Sequence, residues 1–281
     1  MISTVTVNYK TMDYTLKMLE SLFAYHTKEE IEVFVVENGS GDSTDELVRR
    51  FPQVHLIISK ENLGFAGGCN LAIKNATGDY VVLVNPDILF EDNALDQIEA
   101  KMITHVEVGI GGISLQNMDG SQQDCVWSFP KPCDQILLLL KLNHPFPNLP
   151  PLKRWLMRDF DYTQSADVDQ VMGAFFCIRR EVLDEIGLLD DGFFMWYEEV
   201  DYCQRAKDAG WRVRYFSDIH TKHKKGASFD RVATIKKQAM LRRSIRRYMF
   251  KHYGVWGGMI FLLGEPIFWC MSVVTSIIKP R

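Results

Sequence analysis

The densest cluster of reactive side chains in this sequence is Phe193-Phe194-Met195-Trp196-Tyr197-Glu198-Glu199-Val200-Asp201, an aromatic run followed by three closely spaced carboxylates. The helical pattern that follows, through Cys203, Arg205, Ala206 and Ala209, stops at Gly210. The acids therefore fall in a first helical turn, where the helix dipole favours negative charge. Ordinary capping accounts for one or two of them. A third acid beside four aromatics points to chemistry: apolar rings desolvate a carboxylate and raise its pKa towards that of a general base, and rings such as Trp196 stack on sugars.

Three further stretches carry candidate ligands. In Leu83-Val84-Asn85-Pro86-Asp87 an apolar strand ends abruptly in a carboxylate behind a rigid proline, well placed to hold a divalent ion bridging two phosphates. In His220-Thr221-Lys222-His223-Lys224-Lys225-Gly226-Ala227-Ser228 a neutral imidazole can complete a metal site begun by Asp87, while lysines and backbone N–H groups meet phosphate oxygens. Asn62-Leu63-Gly64-Phe65-Ala66-Gly67-Gly68-Cys69-Asn70 is a glycine-rich turn entering a helix, which permits close backbone approach to a ligand. Its spacing departs from the dinucleotide pattern, and no acid closes a following strand, so NAD is a poor candidate.

These residues need elements to position them. Residues 2–8 and 31–37 are β-branched runs around a helical pattern with Leu16, Leu19, Leu22 and Phe23 on one face. The alternation continues with a strand at 54–58, a helix at 66–76, a strand at 80–84 and a helix at 94–102, which predicts an open, mostly parallel, Rossmann-like α/β sheet with helices on both faces. Such sheets bind ligands beyond the carboxyl ends of their strands, after Val7, Val36 and Val84. Residues 115–160 read as an acceptor-side insertion of loops and short helices, rich in proline. Its Ile136–Leu140 run suits packed core, an acceptor surface or a membrane-touching patch.

From Lys224 onward there are 12 basic residues against 2 acidic ones, a net +10, so the preceding chain is about −14 within a total of −4. A basic helical pattern over 230–252 is followed by 254–278, about 25 mostly apolar residues interrupted by Glu265-Pro266. This tail suits an interfacial or re-entrant hairpin on an anionic membrane better than a simple span or a nucleic-acid partner. The six cysteines show no zinc-like pairing, and the first residues read as a strand and not as a leader, so the expected location is the cytoplasmic face of the cell membrane.

Taken in order, these stretches, with Val5-Thr6-Val7-Asn8-Tyr9, Val35-Val36-Glu37-Asn38-Gly39-Ser40 and Gly173-Ala174-Phe175-Phe176, resemble the inverting family-two glycosyltransferases of the GT-A fold. The resemblance is strongest to the bacterial rhamnosyltransferase-like branch. It implies a catalytic domain over 1–228 and a membrane-associating helical region over 229–281. It also implies a nucleotide pocket lined by Val7, Asn8 and Tyr9, with Glu37 in the place of an aspartate that contacts base or ribose. Asn62, Gly64, Phe65, Gly68, Asn70, Asn85, Gly173, Trp196 and Lys225 join the substrate site. Asp87 and His223 would hold Mg2+ or Mn2+. Glu199 stands where the family's aspartate base stands, Glu198 precedes it, and Asp201 is a reserve base, although in the family that residue more often secures the neighbouring helix.

The implied reaction transfers L-rhamnose from dTDP-rhamnose, or a hexose from a UDP-sugar, to a glycan or polyprenyl-diphosphate-linked acceptor. Alternatives are a catalytically silent, membrane-docked binder of nucleotide or glycan, and a sugar nucleotidyltransferase. The latter needs a glycine-rich loop after the first strand, which Asn8-Tyr9-Lys10-Thr11 lacks. Homo-oligomerisation is open.

Overall fold

The apolar runs become strands buried on both faces, which is why they read as continuous hydrophobic stretches and not as alternating ones. A computed structural model describes residues 1–26, 31–224 and 234–278. Its first half alternates β1 (Ile2–Asn8), α1 (Met12–Phe23), β2 (Ile31–Asn38), α2 (Asp45–Arg50), β3 (His55–Ser59), α3 (Gly64–Ile73) and β4 (Tyr80–Val84). Then come β5 (Ile88–Leu89), α4 (Ala94–Thr104), β6 (Val108–Gln116), β7 (Val126–Trp127), α5 (Pro132–Leu139), α6 (Pro150–Trp155), β8 (Ala166–Asp167), β9 (Gln170–Val171) and β10 (Phe175–Arg179). The chain continues through α7 (Arg180–Ile186), α8 (Glu198–Asp208), β11 (Arg212–His223), α9 (Thr234–Leu263) and α10 (Glu265–Ile278).

The main sheet runs β3-β2-β1-β4-β10-β6-β11-β5, and β8 pairs with β11. The pairings β3–β2–β1–β4 and β6–β11 are parallel, while β10 lies antiparallel between β4 and β6. The helices flank this sheet. β6 and β10 escape the sequence pattern: three glycines in Val108–Gly112 imitate a turn, and β10 follows its loop without a helix between. The register places Asn8 beside Glu37 at the carboxyl edge of β1 and β2.

The tail differs in detail from the expectation. α9 changes direction at Gly254 (φ 67, ψ −168). The break between α9 and α10 falls at Gly264, with a 54° bend, so Pro266 sits in the first turn of α10, where its missing N–H leaves no hydrogen bond unmade. Among the described residues no single helix is long and apolar enough to cross a membrane; α9 and α10 together pass that test by length and composition.

Nor is the basic helix simply solvated. Arg242 and Arg246 pair with Glu265 at 2.8 and 3.2 Å, and Arg247 and Lys251 pair with Asp190 at 2.6 and 2.8 Å. A second apolar core joins Leu139 of α5, Phe193 and Tyr197 of the aromatic loop, and Ile245, Tyr248 and Phe261 of α9. Within the Ile136–Leu140 run Leu139 is buried in this core, and Ile136, Leu138 and Leu140 pack on it while half-buried. Because this core is shared, Phe261→Ala is expected to cost roughly 3–5 kcal/mol and to shift one cooperative transition. Chemical denaturation read by both tryptophan fluorescence and far-ultraviolet circular dichroism checks this; a separate early transition of the hairpin would contradict it.

Candidate active site

The carboxyl ends of β1, β2 and β4 supply the first polar layer. Asn8 is buried; its carbonyl oxygen accepts from the Thr11 and Thr15 hydroxyls, both at 3.1 Å, and its amide donates to Asp42 Oδ2 at 3.0 Å. Glu37 is buried and folds back on its own loop, where Oε1 accepts from the Ser40 backbone N–H at 2.7 Å and from the Ser40 hydroxyl. Tyr9 is half-buried, with the Lys10 ammonium 5.5 Å from its ring centre. Asp42 was not apparent from the sequence, since it lies in a polar loop of ordinary composition.

At the next strand end Asp87 and His223 are both buried, and Nε2 of the imidazole lies 3.4 Å from Oδ1 of the carboxylate. Lys224 N donates to the Asp87 carbonyl at 3.0 Å, tying the end of β11 to the end of β4. The tautomer follows from Gln123. Its Nε2 donates to the His223 carbonyl oxygen at 2.6 Å and to Asn117 Oδ1 at 2.9 Å, so its Oε1 faces His223 Nδ1, 3.0 Å away. Nδ1 therefore carries a proton, and in the neutral imidazole Nε2 turns its lone pair toward the carboxylate. Two electron-pair donors facing each other call for a cation between or beside them, and a histidine fixed through its second nitrogen is characteristic of metal ligands. Asp87 and His223 thus fit a divalent ion with two protein ligands and oxygens from a bound diphosphate. Among the described residues no third ligating side chain joins them.

The carboxylate cluster opens α8, as the spacing predicts. The turn before it is unusual: Trp196 and Tyr197 have φ of 63° and 73°, a region that L residues rarely occupy. Glu198 is 4% exposed, and burial followed by the neighbouring charge of Glu199 pushes it well above the ordinary carboxylate range. Glu199 is partly exposed; burial raises it too, but backbone N–H groups of the first turn, including those of Glu199 and Val200, favour its charged form. Burial thus raises both members of the pair, and the backbone donors favour charge on Glu199 over Glu198. Gly173 faces the Glu199 side chain at 3.5 Å, measured from the position of a Cβ, and Ala174 O accepts from Asn85 N at 2.9 Å. That short relay places Glu199 near the turn after β4 that bears Asp87.

Several expectations need correction. Asp201 is not a reserve base. It is fully buried and bound by Arg205 Nε at 2.9 Å, Lys251 Nζ at 2.9 Å and His252 Nε2 at 2.8 Å. Burial alone would raise its pKa, yet these partners hold it below the ordinary value, so it is a poor proton acceptor and a strong anchor. Phe193 and Tyr197 are core residues; only Phe194 and Trp196 of the aromatic run stay accessible.

The glycine-rich turn is packed against the aromatic loop and the first strand. Gly64 (φ 75) lies against the aromatic loop, where a Cβ would sit 2.2 Å from Phe194 O, and Phe65 N donates to that oxygen at 3.0 Å. Gly68 brings α3 onto the Val7 side chain. Asn62 Oδ1 accepts from Gly64 N at 2.9 Å, and both ends of the Asn70 amide bond the Leu189 backbone, at 2.8 and 3.2 Å. Lys225 lies outside the described residues.

A profile of Glycosyl transferase family 2 matches residues 3–187. The chain is 25% identical over 243 residues to an N-acetylglucosaminyl-diphospho-decaprenol L-rhamnosyltransferase of Mycobacterium tuberculosis, covering 81% of this chain and 77% of that one. It is 26% identical over 243 residues to rhamnosyltransferase WbbL of Escherichia coli, covering 82% and 86%. Among solved structures, the mannosyltransferase PcManGT from Pyrobaculum calidifontis, in complex with GDP-Man and Mn2+, has a TM-score of 0.58 at 16% identity, covering all of this chain and 76% of the other. S. aureus TarS residues 1–349 have a TM-score of 0.53 at 15% identity, covering 89% of this chain and 65% of that one. These last two are likenesses of fold.

The buried pair makes a prediction with a definite sign. A carboxyl whose folded pKa lies above its unfolded value contributes stability at low pH and loses it as pH rises through the folded value. Glu198→Gln is therefore expected to raise stability at pH 8 by about 1–3 kcal/mol, the scale of relieving a buried unsatisfied acceptor, with the gain fading towards pH 4. Urea denaturation at the two pH values checks it; a gain that is larger at pH 4 would contradict the assignment.

Proposed function

The chain belongs to glycosyl transferase family 2, and from that premise we propose that it transfers L-rhamnose from dTDP-rhamnose, or a hexose from a UDP-sugar, with inversion, to a lipid-linked or polysaccharide acceptor of the cell surface. The observation that carries this reading is the meeting, on one sheet edge, of a buried carboxylate–imidazole pair and a charged, desolvated glutamate. The first suits a diphosphate and its metal; the second suits a hydroxyl that must lose a proton. Relatives named as rhamnosyltransferases favour the deoxyhexose donor.

The chain's own residues divide the work. Asn8, Tyr9 and Glu37 lie at the strand ends where the nucleoside belongs. Asp87 and His223 would hold Mg2+ or Mn2+, which when bound neutralises charge on the diphosphate. Glu199 takes the proton from the acceptor hydroxyl as that oxygen attacks the anomeric carbon; the bond from that carbon to the diphosphate oxygen breaks and the nucleoside diphosphate leaves. A single displacement inverts the anomeric centre. Glu198, holding its proton, keeps a second negative charge away from the base. Trp196 and Phe194 offer the accessible aromatic faces against which a sugar can rest.

The tail gives the enzyme a place to work. Val255, Trp256, Leu263, Ile267 and Trp269 are all more than half exposed on the α9–α10 hairpin, an apolar surface larger than scattered exposure produces. Lys236, Lys237 and Arg243, on the same helix, have no ion-pair partner among the described residues. Exposed tryptophans beside unpaired cations suit the headgroup layer of an anionic bilayer, at the cytoplasmic face of the cell membrane.

Donor binding tests the reading. A nucleotide sugar at 100 times its Kd, with Mn2+, is expected to raise the melting temperature by roughly 5–10 °C, and Asp87→Ala is expected to abolish the shift. If no nucleotide or nucleotide sugar stabilises the wild-type protein with or without Mn2+, the transferase reading fails.

A further inference from the structure

One face of α9 carries Arg243, Arg246, Arg247 and Lys251, at spacings of three, four and eight residues that align them along the helix. Together with Asp190 and Phe250 they line a cavity of about 550 Å³. Arg246 also pairs with Glu265, and Lys251 with Asp190 and Asp201, so Arg243 is the one of these four cations with no carboxylate partner among the described residues, and the fixed guanidinium groups of Arg246 and Arg247 lie beside it. Neither the donor site nor the base uses it.

The cations are held in place. Asp190 accepts from Arg247 Nη2 at 2.6 Å and from Lys251 Nζ at 2.8 Å, and the Phe193 ring lies 5.3 and 5.9 Å from their charged groups. Burial alone would raise the Asp190 pKa, but these bonds bring it down to about 2, so the carboxylate stays charged and the fork stays fixed. Gly192 completes the wall: a Cβ there would fall 2.0 Å from the Arg247 guanidinium carbon, so the guanidinium packs on bare backbone. Arg243 has no ion-pair partner among the described residues. Guanidinium forks of this kind match phosphate oxygens.

What lies beyond the cavity narrows the ligand. Further along α9 the exposed surface turns from basic to apolar: Trp256 is 85% exposed, Leu263 73% and Ile267 60%. A free nucleotide or inorganic phosphate has no use for that surface. A lipid phosphate meets both halves, its headgroup among the arginines and its chain along the hairpin. Gly192 also leads directly into Phe193–Glu199, so a headgroup held here lies close along the chain to the reacting carboxylate.

We propose that this cavity binds the diphosphate of a polyprenyl-diphosphate-linked acceptor, whose chain follows the α9–α10 hairpin. The inference rests on the transferase reading for its purpose, but its chemistry can be tested apart from donor binding. The probe is farnesyl diphosphate, titrated against the full chain in EDTA so that no metal at Asp87 captures it, with pyrophosphate and farnesol as separate arms.

Farnesyl diphosphate is expected to bind at least tenfold more tightly than either half alone. Arg243→Glu, which removes no ion pair, is expected to weaken it at least tenfold without lowering the melting temperature. Gly192→Ala, which displaces Arg247, is expected to weaken it severalfold. Equal affinity for pyrophosphate, equal affinity for farnesol, or undiminished binding by Arg243→Glu would overturn the assignment. A protein stabilised by a nucleotide sugar that does not bind farnesyl diphosphate keeps the transferase reading and loses this one. Farnesyl diphosphate binding that is sensitive to Arg243→Glu, in a protein that no donor stabilises, does the reverse.

Discussion

Two consecutive residues, Trp196 and Tyr197, are held in the left-handed region immediately before the buried carboxylates Glu198 and Glu199. Each costs about 1–3 kcal/mol unless the surroundings fix it. The supports come from three separate parts of the chain. Phe194 O accepts the Phe65 N–H of α3, Met195 O accepts the Ser244 hydroxyl of α9 at 2.7 Å, and the Tyr197 hydroxyl donates to Gln135 Oε1 of α5 at 2.6 Å. The insertion, the glycine-rich helix and the tail therefore converge on one bend, and the bend aims the first turn of α8. This explains why Gly64 is a glycine and why the tail is packed on the catalytic loop.

The electrostatics around α8 have two opposite characters. Glu198 and Glu199 are raised by burial, so they weaken the folded state as pH rises. Asp190 and Asp201 are lowered by their cationic partners, so they stabilise the fold above the ordinary carboxylate range and lose that contribution as pH falls through their depressed values. The basic helix α9 thus supplies the counter-charges that allow an acid-rich turn to stay closed. A tail read by composition as a membrane anchor is also an electrostatic clamp on the active site.

Much of this was legible in the sequence, and the failures have physical causes. The strands Ile2–Asn8, Ile31–Asn38 and Tyr80–Val84 announce themselves because both faces are buried, and the acids of α8 because they stand in the first turn of a helix whose end Gly210 marks. Asp87 and His223 are 136 residues apart, yet each lies at a strand end, so the topology that joins them could be anticipated. Gln123, which fixes the His223 tautomer, could not, because a polar loop residue carries no periodic signal. The glycine-rich turn is ambiguous for a related reason: glycine serves close packing and ligand approach equally well, and the packing of Gly64 on Phe194 carries no signal in the sequence. The setting of Asp201 was hidden because two of its three partners, Lys251 and His252, come from distant positions.

The central claim is that this bend presents Glu199 as the charged member of a buried pair and as the base. The most direct test is the pH dependence of kcat/KM for sugar transfer by the wild type and by Glu199→Gln. The account predicts an ascending limb in the wild type with an apparent pKa above the ordinary carboxylate range. In Glu199→Gln that limb should vanish and the rate should fall about 10²–10⁴-fold. An ascending limb that survives unchanged in Glu199→Gln, with activity near that of the wild type, would contradict the account.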